Sequence, residues 1–303
     1  MRYKTAAALE MAVRDAAKAS PQDTNRAIAG FYFHRLLCRV FSEPEPRFVL
    51  KGGLGMLARV PDARSTRDID LSTEAYSSKE AVEELKRLAA KDLGDFVTFR
   101  FEGTERLRLD DGYRSGNKVT FVPLLGGRPM SRVSVDLVAD SIPCGTPDMV
   151  SPADRLAIEG IPTCAYLVYP VASAVADKVS GIMEVHDERP SSRIKDLVDI
   201  AVYLTRESFA LSDLRERLRL EVALHELNIS NGFAVPTTWE STAYASSYQR
   251  LASKTSLPSE LRDMHAAESL ARHCINPALD DELADTDEWD PERRQWVKPT
   301  TYK

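Results

Sequence analysis

The sequence predicts an α+β fold: a small mixed sheet flanked by helices over the first half, then a mainly helical C-terminal region. Three observations predict it. Residues 96–101, 117–125 and 132–139 alternate apolar and polar side chains, the period of a half-buried strand. Residues 5–18, 24–41 and 78–90 repeat their apolar side chains with the spacing of a helix face. From Ser151 the alternation fades and helical spacing takes over, which places a boundary near residues 150–165 and divides the chain into 1–155 and 156–303.

Taken in order, residues 5–18 are Ala-rich and carry Leu9, Met11 and Val13 at helical spacing. Ser20-Pro21 interrupts them, and Asp23 or Thr24 is placed to cap the next helix, which runs to about Phe41. Pro44 and Pro46 end it, since proline removes a backbone donor and disfavours a helical predecessor. Residues 47–51 read as a short strand, Gly52-Gly53 as a tight turn, and residues 54–60 as a short helix. Residues 61–67 form a polar loop. Residues 68–71 read as a second strand with two Asp on one face and Ile69 and Leu71 on the other. The helix over 78–90 has an outer face of Glu and Lys, and Gly126-Gly127 turns between the last two strands. Beyond the boundary, helices are expected over 171–184, 193–206, 211–220 and 246–274. The acidic tail from Asp280, with Trp289, Trp296 and Tyr302, is expected to pack loosely or be mobile.

Composition narrows the class. Of 303 residues, 43% are hydrophobic and 28% charged, which suits a globular protein with a sizeable core. No apolar run approaches the roughly 20 residues that a membrane helix needs, and residues 1–20 lack the apolar centre of a secretory signal. Cys38, Cys144, Cys164 and Cys274 form no CxxC pair, which argues against zinc or a disulfide framework and leads us to expect a reducing cytoplasm. The net charge of −6 argues against broad, nonspecific nucleic-acid binding and leaves room for a local basic patch.

Four constellations carry candidate chemistry. Lys51-Gly52-Gly53 lets backbone approach an anion at a helix start, although Gly-Gly is also ordinary turn chemistry. In Asp68-Ile69-Asp70, alternation puts two carboxylates on one strand face. They repel unless a cation offsets them, and oxygen ligands suit magnesium. The alternative is a solvated face with two surface acids. Asp136 interrupts the apolar run 133–138; alone it reads first as a solvent-facing acid, and taken with Asp68 and Asp70 it is a candidate third ligand, so that three acids on adjacent strands could hold two ions. Lys178 lies on a largely apolar helix, either exposed or turned toward a triphosphate. Asp196 and Asp199, three apart, share a helix face and also read as a local salt-bridge face with Arg193 and Lys195.

Together these pieces resemble the AbiEii/MenT family of nucleotidyltransferase toxins, a branch of the DNA polymerase β-like superfamily. The resemblance runs through Val49-Leu50-Lys51-Gly52-Gly53, residues 59–71 ending in Arg67-Asp68-Ile69-Asp70-Leu71, Asp136, Asp177-Lys178 and Arg193-Ile194-Lys195-Asp196-Leu197-Val198-Asp199. It covers about residues 22–205. It implies a polymerase β-like nucleotidyltransferase core with a helical C-terminal domain that contributes Lys178 and Asp199 to the active site.

By the same resemblance, Asp68 and Asp70 bind Mg2+ with Asp136 as the third acid. Lys51, Gly52, Gly53, Thr66, Arg67 and Asp196 serve the nucleotide, and Lys178 and Asp199 join Asp68 and Asp70 in catalysis. The implied substrate is a nucleoside triphosphate, the implied acceptor the 3′ end of tRNA, and the implied outcome a block of translation in a toxin–antitoxin or phage-defence system. Arg64, Arg67 and Lys51 would add positive charge. Thr66 stands where some family members carry a hydroxyl that an antitoxin kinase phosphorylates. One departure is Leu54, where many members have Ser or Thr. The same fold could act on a small molecule or a protein side chain, or survive as a non-catalytic nucleotide- or RNA-binding module.

Overall fold

The central element is an eight-stranded mixed sheet in which neighbouring hairpins are tied together by the long-range pairs β2–β6 and β1–β8. The protein is described by a computed structural model over residues 3–64, 66–107, 114–140, 142–186, 189–280 and 283–299. Ser65 of the motif and Tyr302 of the tail lie outside these residues. The chain divides into two compact units. The first comprises residues 1–61 and 65–169, the second residues 62–64 and 170–303.

In the first unit the helices are α1 (Ala6–Ala19), α2 (Thr24–Val40), α3 (Gly52–Arg59) and α4 (Ser78–Ala89). The strands are β1 (Val49–Lys51), β2 (Ile69–Thr73), β3 (Val97–Arg106), β4 (Arg114–Leu125), β5 (Arg128–Pro129), β6 (Val133–Asp140), β7 (Asp148–Val150) and β8 (Tyr166–Val168). The sheet order is β3-β4-β6-β2-β1-β8-β7, with β5 paired to β4. β2 runs parallel to β6 and β1 parallel to β8; the other neighbours are antiparallel.

The helix starts follow capping chemistry. Thr5 and Asp23 accept from backbone N–H groups three residues on, and Ser77 with Glu80 forms a reciprocal capping box. Helix α2 is more buried than its sequence suggests. Arg35 and Arg39 are 2% and 0% exposed, and both converge on the buried Asp95, at 2.5 Å and 2.8 Å. Burial alone would raise the Asp95 carboxyl, but the two guanidinium groups outweigh it and hold the pKa below its ordinary value.

Two expectations for this unit are corrected. Gly52-Gly53 is the first turn of α3 rather than a turn before it, and Asp68 precedes β2 instead of lying within it. Strands β7 and β8 were not expected, because three residues are too few to show a period. The thiols of Cys38 and Cys164, distant in sequence, are near enough to influence each other's ionisation. Cys164, with Arg35 nearby, lowers the Cys38 pKa, whereas Cys38 and burial raise that of Cys164.

The second unit is helical: α5 (Val171–Met183), α6 (Ile194–Leu204), α7 (Leu211–His225), α8 (Thr242–Ala252) and α9 (Met264–Leu279). Helix α6 is its centre, with Leu197, Val198, Ile200 and Ala201 fully buried. The expected helix over 246–274 is two helices, parted by Pro258 and the 3-10 turn Ser259–Arg262. The short segment 62–64 belongs here. The Asp62 carbonyl accepts from the Ser256 N–H, and Arg64 pairs with Asp199. The tail does not pack loosely over residues 283–299. Glu288–Asp290 and Gln295–Val297 form a hairpin, Trp289 is fully buried, and its indole N–H donates to the Leu204 carbonyl at 2.8 Å. Among the described residues no helix is long and apolar enough to cross a membrane.

Candidate active site

In the first unit, strand register aligns a row of charges across four neighbouring strands. Lys51 on β1 is paired with Asp70 on β2, Asp70 with Asp136 on β6, and Asp136 with Lys118 on β4. Directly paired residues share a sheet face. The row therefore reads plus, minus, minus, plus. Asp68, two residues before Asp70, adds a third acid beside it. The Lys118 ammonium lies 3.1 Å from Asp136 and 4.0 Å from Asp68. Its ion pair with Asp136, reinforced by the fields of Asp68 and Asp70, raises the Lys118 pKa. Lys51 lies over the Tyr169 ring, 3.9 Å from its centroid.

The glycines explain themselves at this row. Gly52 has φ +62°, and a Cβ there would stand 2.0 Å from Asp70 Oδ2. A Cβ on Gly53 would stand 2.8 Å from Thr66 Cβ. Glycine is required at both positions because residues 66–70 pack against the start of α3, and at Gly52 also because the backbone is left-handed. The first-turn N–H groups of α3 thus lie beside the acids, the arrangement that favours an anion. Thr66 is half-buried, with its hydroxyl 3.4 Å from the Asp68 carbonyl oxygen; Arg67 is exposed. Leu54 points away from this chemistry: it is 2% exposed and belongs to the hydrophobic core.

The donor chemistry of Asp68, Asp70 and Asp136 suits a hard divalent cation, and the group already collects around a positive charge, the Lys118 ammonium. Among the described residues no three acid, His or Cys side chains converge tightly enough to hold an ion as they stand. Cation binding would therefore require the carboxylates to turn inward.

In the second unit, Lys178 on α5 meets Asp196 and Asp199, one turn apart on α6. Its ammonium donates to Asp199 at 2.7 Å and to Asp196 at 3.1 Å. Arg64 makes a two-pronged pair with Asp199, Nε and Nη2 each at 2.7 Å, and Arg193 donates to Asp196 at 2.6 Å. Three cations surround two acids, an excess that suits an anionic ligand. Both acids are 1% exposed, whereas the Arg193 side chain is 52% exposed. Of the two placements the sequence left open for Lys178, the exposed one is excluded: its side chain is 13% exposed. Burial would lower its pKa, but Asp199 and Asp196 outweigh burial and raise it. The same ammonium and Arg193 lower the pKa of Asp196 against the effect of its burial.

The structure thus brings Lys51, Gly52, Asp70 and Asp136 into one group, Gly53 and Thr66 into contact, and Lys178, Asp196 and Asp199 into another. Arg64, expected as a spare cation for phosphates, is committed to Asp199. Lys118 was missed altogether. Its only signal was a lysine in an alternating strand, and the register that makes it matter is not a local property.

A helix N-terminus opened by glycines against a pair of in-register acids on a mixed sheet is an arrangement suited to a class of proteins that handle a phosphate chain with a divalent cation. The comparisons give this class a family. Residues 35–294 match the family described as "Nucleotidyl transferase AbiEii toxin, Type IV TA system", and the chain belongs to that family. It is a nucleotidyltransferase, and the family makes it a toxin of a type IV toxin–antitoxin system with an antitoxin as counterpart.

Among solved structures, the chain is similar in fold to MenT4, a nucleotidyltransferase toxin from Mycobacterium tuberculosis H37Rv. The TM-score is 0.56 at 19% identity, over 96% of this chain and 93% of that one. A weaker similarity, TM-score 0.43 at 12% identity, links it to JHP933 from Helicobacter pylori, over 83% of this chain and 91% of that one. Comparison with curated proteins finds no sequence match.

Proposed function

We propose that this toxin transfers a nucleoside monophosphate from a nucleoside triphosphate to the 3′-terminal hydroxyl of tRNA, and so blocks translation. The observation that carries the chemical step is the in-register pair Asp70–Asp136 beside the glycine start of α3. The choice of tRNA rests on the motif resemblance to the MenT branch.

The acceptor hydroxyl attacks the α-phosphorus. A new P–O bond forms there, the bond to the bridging oxygen breaks, and pyrophosphate leaves. The hydroxyl proton passes to a carboxylate of the Asp70–Asp136 pair. The N–H groups of Gly52 and Gly53 and the Lys51 ammonium receive the triphosphate. Asp68, Asp70 and Asp136 would hold divalent cations, magnesium by their oxygen chemistry, and such ions lower the cost of the attacking alkoxide and of the leaving group. Arg67, exposed in the motif loop, is placed for the RNA backbone. We assign Lys178 to the triphosphate, with Asp199, Asp196, Arg64 and Arg193 positioning it.

The antitoxin reading concerns Thr66. A phosphate there would add about −1.5 to −2 charge against Gly53 and weaken triphosphate binding. An antitoxin kinase acting at Thr66 is the form of regulation this supports.

The test is incubation of the purified protein with total tRNA, magnesium and each labelled triphosphate in turn. Label should enter tRNA and be lost with Asp68→Ala. A folded preparation that labels an added small molecule or protein, but no tRNA, would overturn the acceptor assignment.

A further inference from the structure

We infer that Lys118 is a built-in competitor for the divalent cation, holding Asp136 and Asp68 until an ion displaces its ammonium. The inference rests on the cation reading of these acids given above and adds a residue that the motif does not contain.

Three observations carry it. First, Lys118 is directly paired with Asp136 across β4 and β6, so its side chain rises on the same face as the acids. Second, its ammonium lies within ion-pair distance of two of the three candidate ligands, Asp136 at 3.1 Å and Asp68 at 4.0 Å. Third, the lysine is accessible rather than locked, although the Asp136 oxygen it faces, Oδ1, is buried. Lys118, Asp136 and Asp68 are 34%, 29% and 42% exposed, so the lysine can swing into water at small cost.

The contrast with Lys178 is instructive. That lysine is 13% exposed and held between acids that are 2% and 1% exposed. It is built to stay, whereas Lys118 is built to leave. Like charges close together cannot all ionise without a counter-charge. In Lys118 the fold carries one that neutralises the acids before an ion arrives, and an ion must outcompete it. Removing that charge should therefore tighten cation binding, the opposite of what loss of a merely structural ion pair would do.

The experiment is titration of the full chain with Mn2+, following the free-ion signal by electron paramagnetic resonance. No nucleotide or acceptor is present, so the readout is independent of activity. Lys118→Met should bind Mn2+ about tenfold more tightly than the unmodified protein, and Asp136→Asn at least about tenfold more weakly; tenfold corresponds to about 1.4 kcal/mol. Lys118→Gln is the second variant, for the case in which Met disturbs folding, which circular dichroism reports.

If the unmodified protein binds Mn2+, Asp136→Asn weakens it, and both Lys118 variants bind equally or less well, the role of Lys118 is overturned while the cation site stands. If none of the proteins binds Mn2+, the cation reading itself fails and takes this inference with it.

Discussion

Asp199→Asn is the sharpest test of the charge cluster in the helical unit. The substitution keeps the side-chain volume and removes only the charge. Asp199 is 1% exposed and receives both prongs of Arg64 and the ammonium of Lys178, each at 2.7 Å. Breaking a buried ion pair by removing one partner costs about 3–5 kcal/mol, because the remaining charge is left uncompensated.

Two features lower the figure here. Lys178 retains Asp196 at 3.1 Å, and the Arg64 side chain, 19% exposed, can turn to water. We therefore expect a loss of about 2–3 kcal/mol. At about 2–4 °C per kcal/mol for a domain of this size, the melting temperature should fall by about 5–10 °C. Urea unfolding and scanning calorimetry measure it. A double-mutant cycle with Lys178→Met isolates the pair. In the Asp199→Asn background the Lys178 substitution should cost about 1–2 kcal/mol less than in the unmodified protein. A destabilisation within about 0.5 kcal/mol of zero, or additivity across the cycle, would refute the reasoning.

Other outcomes follow from the same geometry. Gly52→Ala meets both a left-handed backbone and the Asp70 carboxylate; it should cost about 2–4 kcal/mol and abolish transfer, with urea midpoint and labelling as readouts. Leu54→Ser, which restores the hydroxyl usual in the family, should destabilise by about 3–5 kcal/mol, because it empties a core position and buries a polar group; a gain in both stability and activity would show that position 54 faces the nucleotide.

The Asp196 carboxyl titrates below its unfolded value of about 3.9, so its contribution to stability is complete above that pH and is lost as pH falls through the folded value. The gap in urea midpoint between the unmodified protein and Asp196→Asn should stay constant from about pH 7 to 5 and close below about pH 4. Lys178 has the opposite sign. Its raised pKa gives stability that is complete below about pH 10.4 and lost only as pH rises through the folded value. Mild oxidation by a peroxide should join Cys38 to Cys164 with loss of two hydrogens, read by mass spectrometry; oxidation of other cysteines with this pair intact would contradict their proximity.

The candidate site residues and most of the first sheet were legible in the sequence, because the signals are local. Alternating side chains mark Val133–Asp140 as a strand, Gly-Gly after a short strand marks a close backbone approach, and the helical spacing over 78–90 marks α4. Strands β7 and β8 escaped because they are three residues long, and Pro258 split an expected helix whose spacing looked continuous. The tail was misjudged because its acidic composition hid Trp289, which composition cannot place in a core.

By itself, then, the sequence determined which carboxylates and lysines stand in the family's motif and which of them are local neighbours. The tertiary structure alone decided that Asp136 stands beside Asp70, that Lys118 stands beside Asp136, and that Arg64 is committed to Asp199. The physical reason is range. Helical and strand periods are set by nearest neighbours along the chain. The parallel pairing of β2 with β6 spans the whole β3–β4 excursion, and its register depends on burying both strands' apolar faces at once.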